Sequence, residues 1–226
     1  MSNTNTVLAL YGFLCLAGGY GHAAVFYPSD DTYVSQSSPT AVGGSGTAMA
    51  VRNAVGWGGA KYQWDSLIKF DLSALPPGEP TDTATLYLYC YLHGGSSPAG
   101  RELTCRKVMN GWTEGQVTWN TRPSSGPQVT GTATVPETPG NWMAWDVTSD
   151  VQAFAGGVEM NHGWAISDEV AWGMTDIPFV HFRTKEYGSF SPYLEVIPEP
   201  ATLVLLGYGG LAMLRQRRPG RGGIAA

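Results

Sequence analysis

Four side chains suited to contact with a sugar lie close together in the segment V-G-W-G-G-A-K-Y-Q-W-D (55–65). Trp57, Lys61, Tyr62 and Trp64 stand there on a glycine-rich backbone, which lets a ligand approach closely. A sugar ring has a C–H face that packs on a flat aromatic ring, while polar neighbours hold its hydroxyl groups. The segment therefore predicts a sugar-binding loop. The alternative is a loop whose rings fold back onto the protein.

Two other groups of aromatic residues are weaker candidates for the same chemistry. Tyr87, Tyr89 and Tyr91 alternate with leucines, so in a strand they share the face that points away from the core. Trp172 follows the acidic pair Asp168–Glu169 in another glycine-containing loop. Tyrosine also simply favours strands, so the alternative for the first group is a covering of the outer sheet.

Catalytic chemistry has little support, and the sequence predicts no catalytic residues. The chain has no G-x-S-x-G, H-E-x-x-H or P-loop motif. The acid pairs Asp30–Asp31 and Asp168–Glu169 are adjacent, and adjacent strand residues point to opposite faces. They are therefore poor candidates for a carboxylate pair that flanks a glycosidic bond. Distant acids such as Glu114 and Asp146 can still meet in space, which keeps a small polysaccharide lyase or hydrolase as an alternative.

The charge balance excludes nucleic acid as a partner. The chain has 13 Lys and Arg against 18 Asp and Glu, a net charge of −5. Much of the basic charge lies in the tail, so the remainder is more acidic still, and it has no run of Lys and Arg to track a phosphate backbone. The acidity also disfavours strongly anionic glycans, unless a local patch of Arg52, Lys61 and Arg183 overrides it.

Short alternating segments separated by Gly, Pro, Ser and Asn predict an all-β fold, a β-sandwich or jelly roll of about ten short antiparallel strands. We expect one short helix at Ser149–Ala155, capped by Thr148 or Ser149 and ended by Gly156. The strands are predicted around Tyr33, Ala48–Arg52, Leu67–Phe70, Thr83–Leu92, Glu102–Val108, Gln128–Val135, Trp142–Asp146, Gly163–Ser167, Phe179–Arg183 and Tyr193–Ile197.

Two cysteines remain once Cys15, which lies in the leader, is set aside. The alternation of L-Y-L-Y-C-Y-L places Cys90 with Leu86, Leu88 and Leu92 on one face, and Cys105 follows its own leucine at the same period. Both thiols are predicted to face the core on neighbouring strands, where a disulfide can form in an oxidising compartment. Two unpaired buried thiols are the alternative. No spacing of Cys and His suggests a metal site.

The N-terminus is typical of a cleaved signal peptide, residues 1–23, with signal peptidase as the partner. Val7 to Gly19 is an apolar stretch of suitable length, and small residues precede a cut after Ala23 or Ala24. The leader has no Lys or Arg. A first core strand is the alternative.

The C-terminus combines three features in order: Pro198-Glu199-Pro200, an apolar run over residues 201–214, and Arg215, Arg217 and Arg218. As a helix the run spans roughly 20 Å, less than the roughly 30 Å hydrocarbon core, and the arginines fit a cytoplasmic anchor. A buried terminal helix is the alternative.

Residues 198–218 resemble the PEP-CTERM sorting signal of bacteria that make extracellular polysaccharide. The resemblance implies recognition by a membrane protease of the exosortase type and a transient hold in the membrane before processing. Residues 219–226 are then a basic, disordered tail.

Residues 24–197 resemble the DNRLRE domain, on an ordered set of segments. These are D-T-Y-V (31–34), S-L-I-K-F-D-L-S (66–73), A-T-L-Y-L-Y (84–89), W-T-E-G-Q-V-T-W-N (112–120), W-D-V-T (145–148), N-H-G-W (161–164) and P-Y-L-E-V (192–196). The resemblance implies a β-sandwich of the carbohydrate-binding-module type on a secreted or surface protein. It also keeps calcium open as a cofactor, through analogy of fold and not through ligand spacing.

These patterns together predict an exported, surface-associated, non-catalytic module that binds extracellular polysaccharide or forms part of the matrix. A structural surface protein without glycan binding is the other alternative.

Overall fold

The structure, a computed structural model, describes residues 23–76, 80–95, 98–171 and 177–199, which contain eleven β-strands, one α-helix and two short 3₁₀ helices, Trp57–Gly59 and Lys185–Tyr187. The strands are β1 Ala24–Phe26, β2 Pro28–Ser35, β3 Ala48–Val55, β4 Lys61–Phe70, β5 Thr81–Gly94, β6 Glu102–Lys107, β7 Gly131–Thr134, β8 Asn141–Asp146, β9 Trp164–Ser167, β10 Phe179–Arg183 and β11 Tyr193–Pro198. The prediction of an all-β fold is confirmed, and each of the ten predicted strands is present. The short strand β1 is additional.

The strands form one curled antiparallel sheet with two halves. The first half contains β1, β11, β5, β10 and β8, and the second contains β2, β4, β9, β6 and β7. Strand β3 belongs to both, because Ala48–Val51 pair with β10 while Arg52–Val55 pair with β4. The chain therefore turns a corner within β3, and this corner brings the β3–β4 hairpin next to β10.

The main core is built by the alternation that the sequence shows. On β5, Leu86, Leu88 and Cys90 are fully buried as predicted, whereas Leu92, near the strand end, is 42% exposed. Two buried tryptophans from opposite halves find acceptors for their indole N–H groups, as burial demands. Trp145 Nε1 donates to the Leu103 carbonyl oxygen (3.0 Å), and Trp164 Nε1 donates to Asp150 Oδ2 (2.9 Å).

A smaller apolar cluster packs on the other side of the β4–β9 region. It contains Trp112 and Trp119, which are 7% and 8% exposed and pack among aliphatic side chains. Its other members are Val34, Leu67, Val108, Val117 and Ala165.

The helix α1, Thr148–Ala155, lies where the sequence predicts it, but its cap differs. The N-cap is Val147 and no side chain caps the helix, because the Thr148 hydroxyl instead accepts a hydrogen bond from the Ala84 backbone N–H (2.9 Å). Gly156 ends the helix as predicted. Among the described residues, no helix has the length and apolar character needed to cross a membrane.

The predicted disulfide is not formed, since both Cys90 and Cys105 are free thiols. Both face the core, as their alternation indicates, but β5 lies in the first half of the sheet and β6 in the second. The two strands are therefore not neighbours. Burial raises the pKa of the Cys90 thiol to about 11, which keeps it protonated and unreactive at neutral pH.

Some predictions fall on residues that the structure does not describe. The signal peptide lies outside the described residues except for Ala23, and so do Pro200, the apolar run, Arg215, Arg217 and Arg218 of the sorting signal, and Trp172. Pro198 is the last residue of β11, and the Glu199 N–H donates to the Pro80 carbonyl oxygen (2.9 Å).

Candidate functional site

A row of aromatic side chains follows β5 on the face of the sheet that points away from the main core; we call this the outer face. Tyr87, Tyr89, Tyr91 and His93 are half-buried there and alternate with the buried leucines. The prediction that the tyrosines face away from the leucines is confirmed. What the sequence does not reveal is that neighbouring strands and loops add further rings on both sides of this row.

Five rings at one end of the row form what we call the tyrosine platform. Tyr87 stacks on Tyr193 and Tyr89 stacks on Phe190, with centroid distances of 4.6 and 4.3 Å. Trp142 meets Tyr89 and Tyr193 edge-on, at 5.2 and 5.1 Å. These contacts fix the tyrosines, while Trp142 and Phe190 stay 39% and 51% exposed.

Phe190 has an unusual backbone for an aromatic residue, with a φ of 54°. The left-handed region is strained for a bulky side chain and persists only where the surroundings hold it. Here the exposed ring lies flat against Tyr89. The loop before β11 therefore holds an apolar ring at the surface in a strained backbone conformation.

At the other end of the row lies a second group, the arginine cluster, which consists of Arg52, Trp64, Tyr91, His181 and Arg183. The Arg183 guanidinium is sandwiched between the rings of Tyr91 (3.6 Å) and Tyr187 (3.5 Å). The Tyr91 hydroxyl and His181 Nδ1 are 3.3 Å apart. Burial lowers the pKa of His181, so its imidazole is neutral at pH 7.

The β3–β4 hairpin completes the arginine cluster. Its register places Arg52 opposite Trp64, with the guanidinium 4.8 Å from the centre of the indole ring. Trp64 meets His181 of β10 edge-on at 6.1 Å and Tyr33 of β2 at 6.0 Å. The 55–65 segment and the tyrosine row, which the sequence offers as separate candidates, are therefore parts of one surface.

The four residues predicted to bind a sugar have different positions in the structure. Trp64 and Tyr62 lie on β4 two residues apart, hence on one face, and Tyr62 is 37% exposed. Lys61 is exposed at the start of β4, and alternation directs it to the opposite face. Trp57 lies in the tight turn Trp57–Gly59, and its side chain is outside the described part of the structure.

The outer face also collects polar atoms that lack a partner. Within the described ranges, four buried side-chain nitrogens have no hydrogen-bond partner, and all four lie on this face. They are Arg52 Nε, Trp64 Nε1, His93 Nε2 and Arg183 Nε. An unsatisfied buried donor costs on the order of 1–3 kcal/mol. An ordered water or a bound polar ligand is the usual explanation for such groups.

The charges around the arginine cluster are also unbalanced. None of the ion pairs among the described residues includes Arg52 or Arg183. The guanidinium groups contact aromatic faces instead. An acidic protein thus keeps two cations on its outer face without a carboxylate beside them.

A cleft of about 230 Å³ adjoins the arginine cluster and is walled by Tyr33 and Trp64. Hydroxyl groups of Ser35, Ser37 and Ser38 line the same cleft. Aromatic walls with a few hydroxyl groups are suited to a sugar ring.

The acids that the sequence singled out are held by basic side chains. Asp30 pairs with Lys69 at 2.9 Å, Asp168 binds Arg101, and Glu169 pairs with Arg106 at 2.6 Å. Asp30 and Asp168 thus belong to ion pairs that join strands and loops. Neither adjacent pair, Asp30–Asp31 or Asp168–Glu169, therefore presents two free carboxylates to a substrate.

Three carboxylates that are distant in sequence meet around Lys185. Oxygens of Asp31, Glu114 and Glu186 lie within 4.8 Å of one another. Lys185 donates to Asp31 from its backbone N–H (2.9 Å) and from Nζ (3.1 Å), and Nζ also contacts both glutamates. The ammonium group takes the place that a calcium ion would need, so these residues do not fit calcium unless Lys185 moves.

Several residues of the outer face are missed by reasoning from the sequence. Tyr193 carries a usable signal, because the alternation of P-Y-L-E-V places it opposite to the buried Leu194. Tyr187 and Phe190 carry none, since Tyr187 ends a short 3₁₀ helix and Phe190 lies in the loop before β11. His181 alternates with the buried Val180 and Phe182 on β10, and its role depends on the corner in β3.

Comparison with protein-family profiles matches residues 22–198 to carbohydrate-binding module family 96. No curated protein matches the chain. The match includes all eleven strands and most of the chain, and it agrees with the module type that the sequence implies, while the DNRLRE and PEP-CTERM resemblances stay predictions. The chain, with its aromatic outer face, therefore belongs to carbohydrate-binding module family 96.

Proposed function

We propose that this protein is a non-catalytic module that binds polysaccharide on the outer face. The observation that carries the proposal is the coincidence there of the aromatic row with all four unpartnered buried nitrogens of the described residues. Aromatic rings take the C–H faces of sugars, and the guanidinium groups beside them take hydroxyl or carboxylate oxygens. Family membership supports the same chemistry.

The arginine cluster favours a polysaccharide that carries acidic groups. Arg52 and Arg183 keep donors without partners and have no neighbouring carboxylate among the described residues. A guanidinium fixed against aromatic rings is preorganised for a planar carboxylate, and charge-assisted hydrogen bonds are about twice as strong as neutral ones. The local patch thus outweighs the net charge of −5.

A binding role without catalysis fits the same surface. Most glycoside hydrolases use two free carboxyl groups that flank the glycosidic bond. The cluster that contacts the proposed ligand contains aromatic rings, imidazole and guanidinium groups. Asp31 and Glu114, which meet from distant parts of the chain, are tied to Lys185.

The site can be tested with three substitutions and a control. We expect Trp64→Ala, Arg52→Gln and Arg183→Gln each to lower affinity for an acidic polysaccharide by roughly tenfold, about 1.4 kcal/mol. Calorimetric titration of the purified chain measures the effect. Arg122→Gln is the matched control, because Arg122 also stacks on a tryptophan at 3.7 Å, but this tryptophan, Trp119, belongs to the smaller apolar cluster.

Equal losses of affinity in Arg122→Gln and Arg52→Gln would show that removing any positive charge weakens binding, whatever its position. A chain that binds no member of a broad glycan panel would contradict the proposal and favour a structural surface module. Release of shortened sugars from the panel would favour the lyase or hydrolase.

We further propose that the module is exported and held at the cell surface. The support is the sequence at its two ends: a signal-like leader, and the order Pro198-Glu199-Pro200, apolar run, arginines. Signal peptidase and an exosortase-type protease would process these ends. Fractionation of native cells tests this proposal, and an unprocessed chain recovered from the cytoplasm would contradict it.

A further inference from the structure

We infer that the tyrosine platform is a second subsite for the same polysaccharide. It stacks uncharged sugar rings, while an acidic sugar of that polysaccharide reaches the arginine cluster. The inference rests on the proposed function and narrows its ligand. The ligand is then a polysaccharide in which acidic sugars are interspersed with neutral ones.

The first step is the continuity of the surface. Tyr87 and Tyr89 belong to the platform, and Tyr91, the next outward residue of β5, belongs to the arginine cluster. At about 3.3 Å per residue, Tyr87 and Tyr91 lie about 13 Å apart along the strand. That distance is longer than a single sugar ring, so a polysaccharide lying along β5 contacts both the tyrosine platform and the arginine cluster.

The second step is the absence of positive charge at the platform. In the described part of the chain, the cation–π contacts involve Trp64, Trp112, Trp119, Tyr91 and Tyr187, and none involves a platform ring. Aromatic faces without a cation beside them provide stacking alone.

The third step is the negative charge at the far end. Strand register places Asp146 and Glu195 on either side of Thr85, two residues beyond Tyr87 on the same face. Burial and the nearby Tyr87 and Glu195 raise the pKa of Tyr193, so the carboxylate acts on the platform itself. A second acidic sugar would be repelled there, whereas a neutral one would not.

The fourth step is preorganisation. Trp142 and Phe190 are large, exposed and held in place by stacked neighbours before any ligand arrives. Rings that are already ordered lose little conformational entropy on binding. The strained backbone of Phe190 indicates that the fold maintains this ring for contact with a partner.

The experiment compares three polysaccharides on the full-length chain by calorimetry: hyaluronan, in which glucuronate alternates with a neutral amino sugar, polygalacturonate, in which every sugar is acidic, and neutral dextran. We expect the tightest binding to hyaluronan. Trp142→Ala and Phe190→Ala should each weaken hyaluronan binding by roughly fivefold. Both should leave polygalacturonate binding at the arginine cluster unchanged. Met160→Ala, at an exposed apolar side chain in another groove, is the control and should change neither.

Unchanged hyaluronan binding in both platform variants, together with a loss in Trp64→Ala, would overturn the second subsite and leave the proposed function intact. Equal losses for hyaluronan and polygalacturonate in the platform variants would overturn the preference for neutral sugars. A chain that binds none of these polysaccharides nor any other glycan would overturn both proposals.

Discussion

Arg183 illustrates how side-chain chemistry rather than net charge defines the outer face. Its guanidinium lies between Tyr91 and Tyr187, a position that only a planar cation can fill. The stacked rings cover both faces of the guanidinium, and its buried Nε has no hydrogen-bond partner among the described residues. Arg183 therefore provides a guanidinium of fixed orientation as well as a positive charge.

We expect Arg183→Lys to lose most of the affinity for acidic polysaccharide that Arg183→Gln loses, although lysine keeps the charge. A lysine ammonium is compact and flexible, so neither the stacking nor the fixed donor geometry survives. Calorimetric titration of both variants measures the comparison. Arg122→Lys provides the background, and full affinity in Arg183→Lys would mean that simple charge attraction is sufficient.

Sequence reasoning at this scale depends on periodicity. The outward direction of the β5 tyrosines was predictable because they alternate with the buried Leu86 and Leu88. Phe190 was not, because its position results from a left-handed backbone and one stacked partner. No local pattern encodes such a contact.

At the scale of the elements, the segment N-H-G-W (161–164) forms a turn whose hydrogen bonds hold it against β4. Asn161 Nδ2 donates to the Phe70 carbonyl oxygen (2.8 Å), and its Oδ1 accepts the Gly163 N–H (3.0 Å). Gly163 has a φ of 78° and passes so close to β4 that a Cβ would lie 2.1 Å from the Ile68 carbonyl oxygen.

We therefore expect Gly163→Ala to lower the free energy of unfolding by on the order of 3 kcal/mol, from backbone strain and from displacement of β4. Gly157→Ala is the matched control, since Gly157 has a φ of 66° but a Cβ at this position would meet no atom within 4 Å. It should cost only about 1 kcal/mol. Denaturant unfolding of both variants measures the difference, and equal losses would show that the approach to β4 is unimportant.

The strands themselves were largely predictable, and their pairing was not. Alternation located ten of them, whereas β1 was missed because three residues are too few to show a period. The same alternation placed Cys90 and Cys105 toward the core but could not assign β5 and β6 to opposite halves of the sheet. The disulfide prediction failed at that step.

The corner in β3 is the other feature that local patterns do not contain. It joins the hairpin bearing Trp64 to the strand bearing His181, which are more than a hundred residues apart in the chain. Two candidates that the sequence kept separate thus become one surface. Contacts between residues so distant in sequence are settled by the packing of the whole sheet.

At the scale of the whole molecule, buried acids should determine how stability responds to pH. Burial raises the pKa of the Asp65 carboxyl from 3.8 to about 6, although the Gln63 side chain donates to both of its oxygens and Arg122 lies nearby. Burial likewise raises the pKa of Asp31 to about 6, despite its bonds to Lys185. The folded state therefore binds these protons more tightly than the unfolded state does.

The sign follows from the linkage between proton binding and folding. Where the folded pKa lies above the unfolded value, the stabilising contribution is complete below about pH 4 and is lost as the pH rises through about 6. Asp71 is the opposite case, because hydrogen bonds from Ser73 lower its pKa. Its contribution is present above the unfolded pKa and is lost as the pH falls.

The ionisation of Asp65 should lower the free energy of unfolding as the pH rises from about 4 to about 7. We expect this decrease to be smaller in Asp65→Asn than in the unaltered chain, by on the order of 2 kcal/mol. Comparing the two pH values within each protein cancels any effect of the amide that does not depend on pH. Asp71→Asn should shift the balance the other way, since it removes a carboxylate that the folded state prefers ionised. Denaturant titrations across this range measure both differences. Parallel curves for Asp65→Asn and the unaltered chain would mean that Asp65 ionises as easily in the folded domain as in the unfolded chain, and that its position on β4 carries no electrostatic cost.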